Sequence, residues 1–129
     1  MKFNTIGFFT DNQPAMVAFY RDVMGFRTDW NGSTNVDMTY GDIRLIMYPR
    51  SEFEKMVRHS FDYPKGLNGT AEIAFDADNY AGVDAEYARC TAAGARSVFP
   101  PTTMPWGQRT CYIADPDGNL IEIGSFNPE

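Results

Sequence analysis

Apolar and polar residues follow two rhythms along this chain. In short runs they alternate, which marks strands with one face buried; in two longer runs apolar residues recur every three or four positions, which marks helices. The segment TIGFFTDN (5–12) alternates and ends on an Asp-Asn pair, and EIAFDADN (72–79) does the same at a constant offset of 67 residues. The offset continues to Tyr20 and Tyr87. A helix is predicted after each segment. The first covers about 14–24, with Pro14 in its first turn, Met16, Val17, Tyr20, Val23 and Met24 as its apolar stripe, and Gly25 as its stop. The second covers about 80–93, with Val83, Tyr87 and Cys90 inward and Gly94 as its stop.

Strands follow in both halves. Phe26–Trp30, Asn35–Tyr40 and Asp42–Tyr48 are predicted in the first, and Ser97–Phe99, Arg109–Ala114 and Asn119–Gly124 in the second, with turns at Gly41-Asp42 and at Asp115–Gly118. Each half therefore reads β-α-β-β-β. The predicted fold class is α+β, a single domain over 1–129 built from one module at about 1–50 and a second at about 70–129. The linker at about 51–69 is long for a compact domain. Ser51-Glu52-Phe53-Glu54 has the form of a capping box, so a short helix is predicted there. The aromatic and Gly/Pro-rich stretch HSFDYPKGLNG (59–69) reads either as a lid over a cavity or as a plain crossover loop.

Alternation assigns the strand faces. Ile6 and Phe8, Ile73 and Phe75, Ile121 and Ile123, and Ile43, Leu45 and Met47 form the sets expected to meet the helices. The opposite sets are Thr5, Gly7 and Phe9; Glu72, Ala74 and Asp76; Leu120, Glu122 and Gly124; Arg44, Ile46 and Tyr48. Hairpin pairing is expected to bring Thr110 and Tyr112 near Glu122, and Asp37 and Thr39 near Ile46 and Arg44. The second face is solvated if the sheet is flat and lines a cavity if it curls. Phe9, Ile46, Tyr48 and Tyr112 favour a sheltered face.

Composition narrows the function classes. The 129 residues are 43% hydrophobic and 15% aromatic, enough for a sizeable core. The net charge of −6 and the scattered Lys and Arg offer no basic patch for nucleic acid. No run reaches the roughly 18 apolar residues of a membrane span, and MKFNTIGFFTDNQ lacks a signal-peptide core, so a cytoplasmic protein is expected. Cys90 and Cys111 lie in apolar surroundings and read as buried free thiols; the one histidine, His59, is in the linker. Trp106, inside Pro105-Trp106-Gly107, is either a structural plug or an aromatic wall for a planar or cationic ligand. Phe53, Phe61 and Tyr63 extend that wall or simply pack within the loop or against a second copy of the chain.

The duplication, AFYRDVMGF (18–26) and PWGQRTCYIADPDGNLIEI (105–123) together resemble the vicinal-oxygen-chelate superfamily of glyoxalase I, bleomycin-resistance proteins and extradiol dioxygenases. The resemblance spans nearly the whole chain. It implies a U-shaped, eight-stranded mixed sheet around a pocket, usually within a homodimer. In metal-dependent members it places ligands at positions that match Thr5, Ile46, Glu72 and Glu122. Ile46 has no ligating atom and Thr5 is a weak ligand, so a stable metal is not expected, and any divalent metal would be held weakly by Glu72 and Glu122 alone.

Two inward carboxylates are costly unless neutralised. A ligand cation, a protein cation (Arg44 or Arg109), or protonation of one carboxylate for acid–base work would each resolve this. The leading expectation is metal-independent binding of a small aromatic or cationic molecule by Thr5, Phe9, Ile46, Tyr48, Glu72, Trp106, Tyr112 and Glu122. The alternatives are a glyoxalase-like lyase or isomerase with Glu72 and Glu122 as catalytic groups and a weakly held metal, and a non-catalytic scaffold acting by protein contact.

Overall fold

The two Asp-Asn pairs that mark the repeat are helix caps. In the computed structural model, which describes residues 1–129, the Asn12 side chain accepts from the Ala15 N–H at 3.4 Å and the Asn79 side chain from the Gly82 N–H at 2.8 Å. Each amide side chain satisfies a donor that the first helical turn leaves orphaned. The chain forms β1 (Thr5–Thr10), α1 (Gln13–Ala18), β2 (Val36–Tyr40), β3 (Ile43–Pro49), α2 (Arg50–Val57), β4 (Asn68–Asp76), α3 (Tyr80–Ala92), β5 (Arg96–Thr103), β6 (Arg109–Ala114) and β7 (Asn119–Ser125). Helix α1 continues with wider π-type winding over Phe19–Val23, which ends at Gly25 with φ 86°.

These elements fall into two compact units, Met1–Tyr63 and Pro64–Glu129. In the first, the strand order is β1-β3-β2; in the second it is β4-β7-β6-β5. Both are mixed sheets: the first strand of each unit runs parallel to its neighbour, and the hairpins are antiparallel. The repeat holds in the register, since Gly7 pairs with Ile46 as Ala74 pairs with Glu122.

Three expectations are corrected. The single eight-stranded sheet is replaced by separate sheets of three and four strands. Phe26–Trp30 supplies no strand beyond one bridge between Arg27 and Thr39. Side chains take over the bonding there: Thr28 Oγ1 donates to the Asp37 carbonyl at 2.8 Å, and the Trp30 indole turns back to the Ser33 carbonyl at 2.7 Å. The capping box is also absent. Helix α2 starts two residues earlier, with Pro49 rather than Ser51 as its N-cap and no side-chain cap. Glu54 instead accepts from the Phe61 N–H at 2.9 Å, tying the loop to the end of its own helix.

The cores sit where alternation placed them. Met16, Val17, Tyr20, Val36, Met38, Leu45 and Met47 are buried in the first unit, and Val83, Cys90, Cys111, Ile113, Ile121 and Ile123 in the second. Ile6 at 37% exposure and Ile43 at 59% depart from the pattern; Ile43 opens the central strand β3 directly after the β2–β3 turn. No helix is long and apolar enough to cross a membrane.

Candidate functional site

The geometry around Glu122 starts from the turn before it. Asp115 is buried, and its carboxylate accepts from the backbone N–H groups of Asp117 at 2.9 Å and Asn119 at 3.0 Å, and from the Asn119 amide at 2.9 Å. Gly118 takes φ 88° to close the turn. That turn fixes the β6–β7 register, so Tyr112 lies opposite Glu122. Ile121 and Ile123 point into the core, so Glu122 must point away from it.

Glu122 is half-buried and held by neutral donors. Thr110 Oγ1 donates to its Oε1 at 2.7 Å, and Gln108 Nε2 donates to the same oxygen at 2.9 Å. Glu72 lies on the same sheet face, two residues before the Ala74 that pairs with Glu122, and is exposed. Tyr112 reports both charges. Burial, then a hydrogen bond with Glu72, then the carboxylates of Glu122 and Glu72 push its phenol up to about 12.

The two arginines that could compensate these charges are committed elsewhere. Arg109 pairs with Asp84 at 2.7 Å and donates to Thr103 at 3.0 Å. Arg44 pairs with Asp37 at 2.6 Å, and the hydrogen bond from that guanidinium lowers the Asp37 carboxyl below its ordinary value. Neither Glu72 nor Glu122 takes part in an ion pair.

Trp106 is no plug, being 61% exposed. Met104-Pro105-Trp106-Gly107 is a tight turn closed by the Gly107 N–H to the Met104 carbonyl at 2.9 Å, with Gly107 at φ 87°. Tyr80 Oη donates to the Gly107 carbonyl at 2.6 Å and pins the turn to the start of α3. The indole Nε1 donates to Gln108 Oε1 at 3.0 Å. Gln108 therefore joins Trp106 to Glu122. Strand periodicity could not find it, since it precedes the first residue of β6.

In the first unit the remaining candidates form a separate group. Thr5 Oγ1 donates to the Asn4 side chain at 2.7 Å and is itself the acceptor for Arg44 Nη1 at 3.4 Å. Ile46 lies over Gly7, where an added Cβ would come 3.3 Å from its Cγ1. Phe9 pairs with Tyr48 and stacks on Phe53 with ring centroids 3.7 Å apart; Phe61 continues the stack at 5.5 Å. Arg50 donates to the Phe9 carbonyl at 3.0 Å and lies 4.4 Å over the Tyr63 ring, so α2 is fastened to the end of β1. A shallow groove of about 560 Å³ runs past Arg27, Asp29, Asp37 and Arg44, away from Phe9 and Phe53, and its mixed charges include the Arg44–Asp37 pair.

A divalent metal of the kind the resemblance implies finds a poor donor set here. Ile46 carries no ligating atom, Thr5 is hydrogen-bonded to Asn4 and Arg44, and no three His, Cys, Asp or Glu side chains cluster. The thiols are equally unsuited to chemistry. Cys90 and Cys111 are fully buried and free; burial raises both, Cys111 to about 11.

The family model described as Glyoxalase/Bleomycin resistance protein/Dioxygenase superfamily matches residues 2–123. Among solved structures, a lactoylglutathione lyase from Agrobacterium tumefaciens is 26% identical, with a TM-score of 0.71 over 96% of this chain and 92% of that one. A protein of unknown function from Agrobacterium tumefaciens str. C58 is 27% identical, with a TM-score of 0.74 over 97% and 94%. A glyoxalase/bleomycin resistance protein/dioxygenase from Nocardioides, at 21% identity, has a TM-score of 0.83 over 98% of this chain and 85% of that one, and shares the fold. A search of curated proteins returns no match.

Proposed function

The chain belongs to the glyoxalase/bleomycin resistance protein/dioxygenase superfamily, and from that premise we propose that it binds a small aromatic cation without a metal. The observation that carries this reading is the unpaired charge of Glu122. A charge withdrawn from water is stabilised by a cation or by hydrogen bonds, and half-buried Glu122 has only the neutral donors Thr110 and Gln108, with no cation beside it. Glu72 adds a second negative charge on the same face. Trp106, tethered to this network yet largely exposed, offers a ring face on which a cation or flat ring can rest. Within the first unit taken by itself, Phe9 pairs with Tyr48, with Thr5 and Ile46 on the same sheet face.

A thermal-shift screen with planar aromatic cations tests this reading. The folded protein should gain stability with at least one of them, by the mass-action relation between ligand concentration and dissociation constant. The gain should disappear in Glu122→Gln and shrink in Trp106→Leu. A broad panel that leaves the wild-type transition unmoved rejects the reading.

A lyase or isomerase is the second reading, favoured by the 26% identity to a structure named as a lactoylglutathione lyase. In it Glu122 and Glu72 exchange protons with a substrate. Turnover of a hemithioacetal, abolished by Glu122→Gln, would establish it; no turnover with metal-supplemented protein would remove it.

A further inference from the structure

We propose that Gln108 is a positioning residue that couples Trp106 to Glu122 and decides which carboxylate oxygen meets a ligand. This rests on the reading that the Glu122 face binds a cation, although the coupling itself is independent of any ligand.

Chemistry leaves the Gln108 amide one orientation. An indole N–H can only donate, and an ionised carboxylate can only accept. The amide oxygen must therefore face Trp106 and the amide nitrogen must face Glu122, as the bonds of 3.0 Å and 2.9 Å have it. A flipped amide would set donor against donor at one end and acceptor against acceptor at the other. The three side chains thus form a directed chain, from indole N–H to amide oxygen and from amide N–H to carboxylate.

Both protein donors to Glu122 converge on Oε1. Thr110 is nearly buried at 4% exposure, and Oε1 at 2.7 Å is its nearest acceptor, with the Ile123 carbonyl at 3.5 Å. Oε2 is left without a protein donor and is the atom that presents charge to a ligand. The same amide restrains the exposed indole without burying it, which lowers the ordering cost that binding would otherwise carry.

The bridge depends on a missing side chain. Gly124 lies opposite Thr110 on β6 and, being two residues on, shares the face of Glu122. A Cβ built there would come 2.8 Å from Gln108 Nε2, closer than side chains pack, and 3.5 Å from both Glu122 Oε1 and Thr110 Oγ1. The atom it displaces is the tip of a flexible side chain, so Gly124→Ala should push the amide off Glu122 with little effect on the fold.

The test is a double-mutant cycle read from the indole N–H resonances in ¹H–¹⁵N spectra. Trp30, whose indole donates to the Ser33 carbonyl, is the unperturbed reference inside the same spectrum, and the dispersed backbone amides of β6 and β7 report whether each variant is folded. Glu122→Gln should move the Trp106 resonance in the otherwise native chain and leave it unmoved in the Gln108→Leu and Gly124→Ala backgrounds. An equal movement in all backgrounds, or none in the native chain, overturns the coupling. Titration of each variant with a planar aromatic cation separates the two ideas. Coupling without binding rejects the ligand reading alone, and binding without coupling rejects the role of Gln108 alone.

Discussion

Replacing Glu122 by Gln is the substitution whose energetic outcome separates an unpaired carboxylate from one that has a hidden cation. Gln keeps the shape and keeps Oε1 as an acceptor, so the bonds from Thr110 and Gln108 persist. They weaken, because a bond to a charged group contributes about 1.5–3 kcal/mol net and a neutral one about 0.5–1.5, so two such bonds lose about 2 kcal/mol together. Against this, the repulsion from Glu72 disappears. Diagonal neighbours on adjacent strands lie about 7–8 Å apart, and two unit charges at that distance repel by roughly 0.5–2 kcal/mol for effective dielectric constants of about 20–80. The remaining desolvation of the half-buried charge is relieved as well. The net change should be a loss of about 0–1.5 kcal/mol in urea unfolding at neutral pH. A carboxylate paired with a buried arginine would behave otherwise, since removing one partner strands the other at a cost of about 3–5 kcal/mol. A measured loss in that higher range would refute the assignment of Arg109 and Arg44 to their own carboxylates, and with it the unpaired state of Glu122.

Three further outcomes follow from the same geometry. Gly118→Ala should lower stability by more than about 2 kcal/mol in thermal unfolding, since the left-handed backbone alone costs about 1–2 kcal/mol and the new Cβ would overlap the Gly66 backbone; a near-neutral result would mean the turn is not held as described. Tyr112 is a group whose neutral form is favoured by folding. Between about pH 10 and the raised value of about 12 the unfolded chain loses this proton while the folded chain keeps it, so stability falls across that window. Tyr112→Phe should remove the highest step of the phenolate absorbance titration and flatten the alkaline loss of stability; an unchanged titration would contradict it. Cys90 and Cys111 should resist a thiol reagent near pH 8 in the folded protein and both react once it is unfolded, and rapid labelling in the native state would contradict their burial.

Much of the fold is legible in residue periodicity because a strand that slips by one residue would turn its whole apolar set to water. The faces of β6 and β7, the pairing of Tyr112 with Glu122 and of Asp37 with Ile46, and the Asp-Asn helix starts were all readable in this way. Phe26–Trp30 misled because its apolar ends suggest a strand, whereas Thr28 and Trp30 satisfy the local backbone with side chains. Ser51–Glu54 misled because Pro49 already supplies the extended entry to a helix, leaving Glu54 free for the Phe61 N–H. In the site, Glu122 was visible as a charge between two isoleucines. Gln108 was not: it lies outside the strand pattern, and its reach to Glu122 depends on the absence of a side chain at Gly124, a fact about two residues distant in sequence. Nor could alternation tell which charges were already matched, since Arg109 meets Asp84 across 25 positions of sequence.

Titration calorimetry of a planar aromatic cation into the protein, with a chelator present throughout, bears most directly on metal-free recognition by Glu122 and Trp106. Saturable binding should appear with the chelator, weaken as salt rises, and be lost in Glu122→Gln while that variant stays folded. Binding that vanishes on chelation and returns with a divalent metal, or that is unchanged in Glu122→Gln, would contradict it.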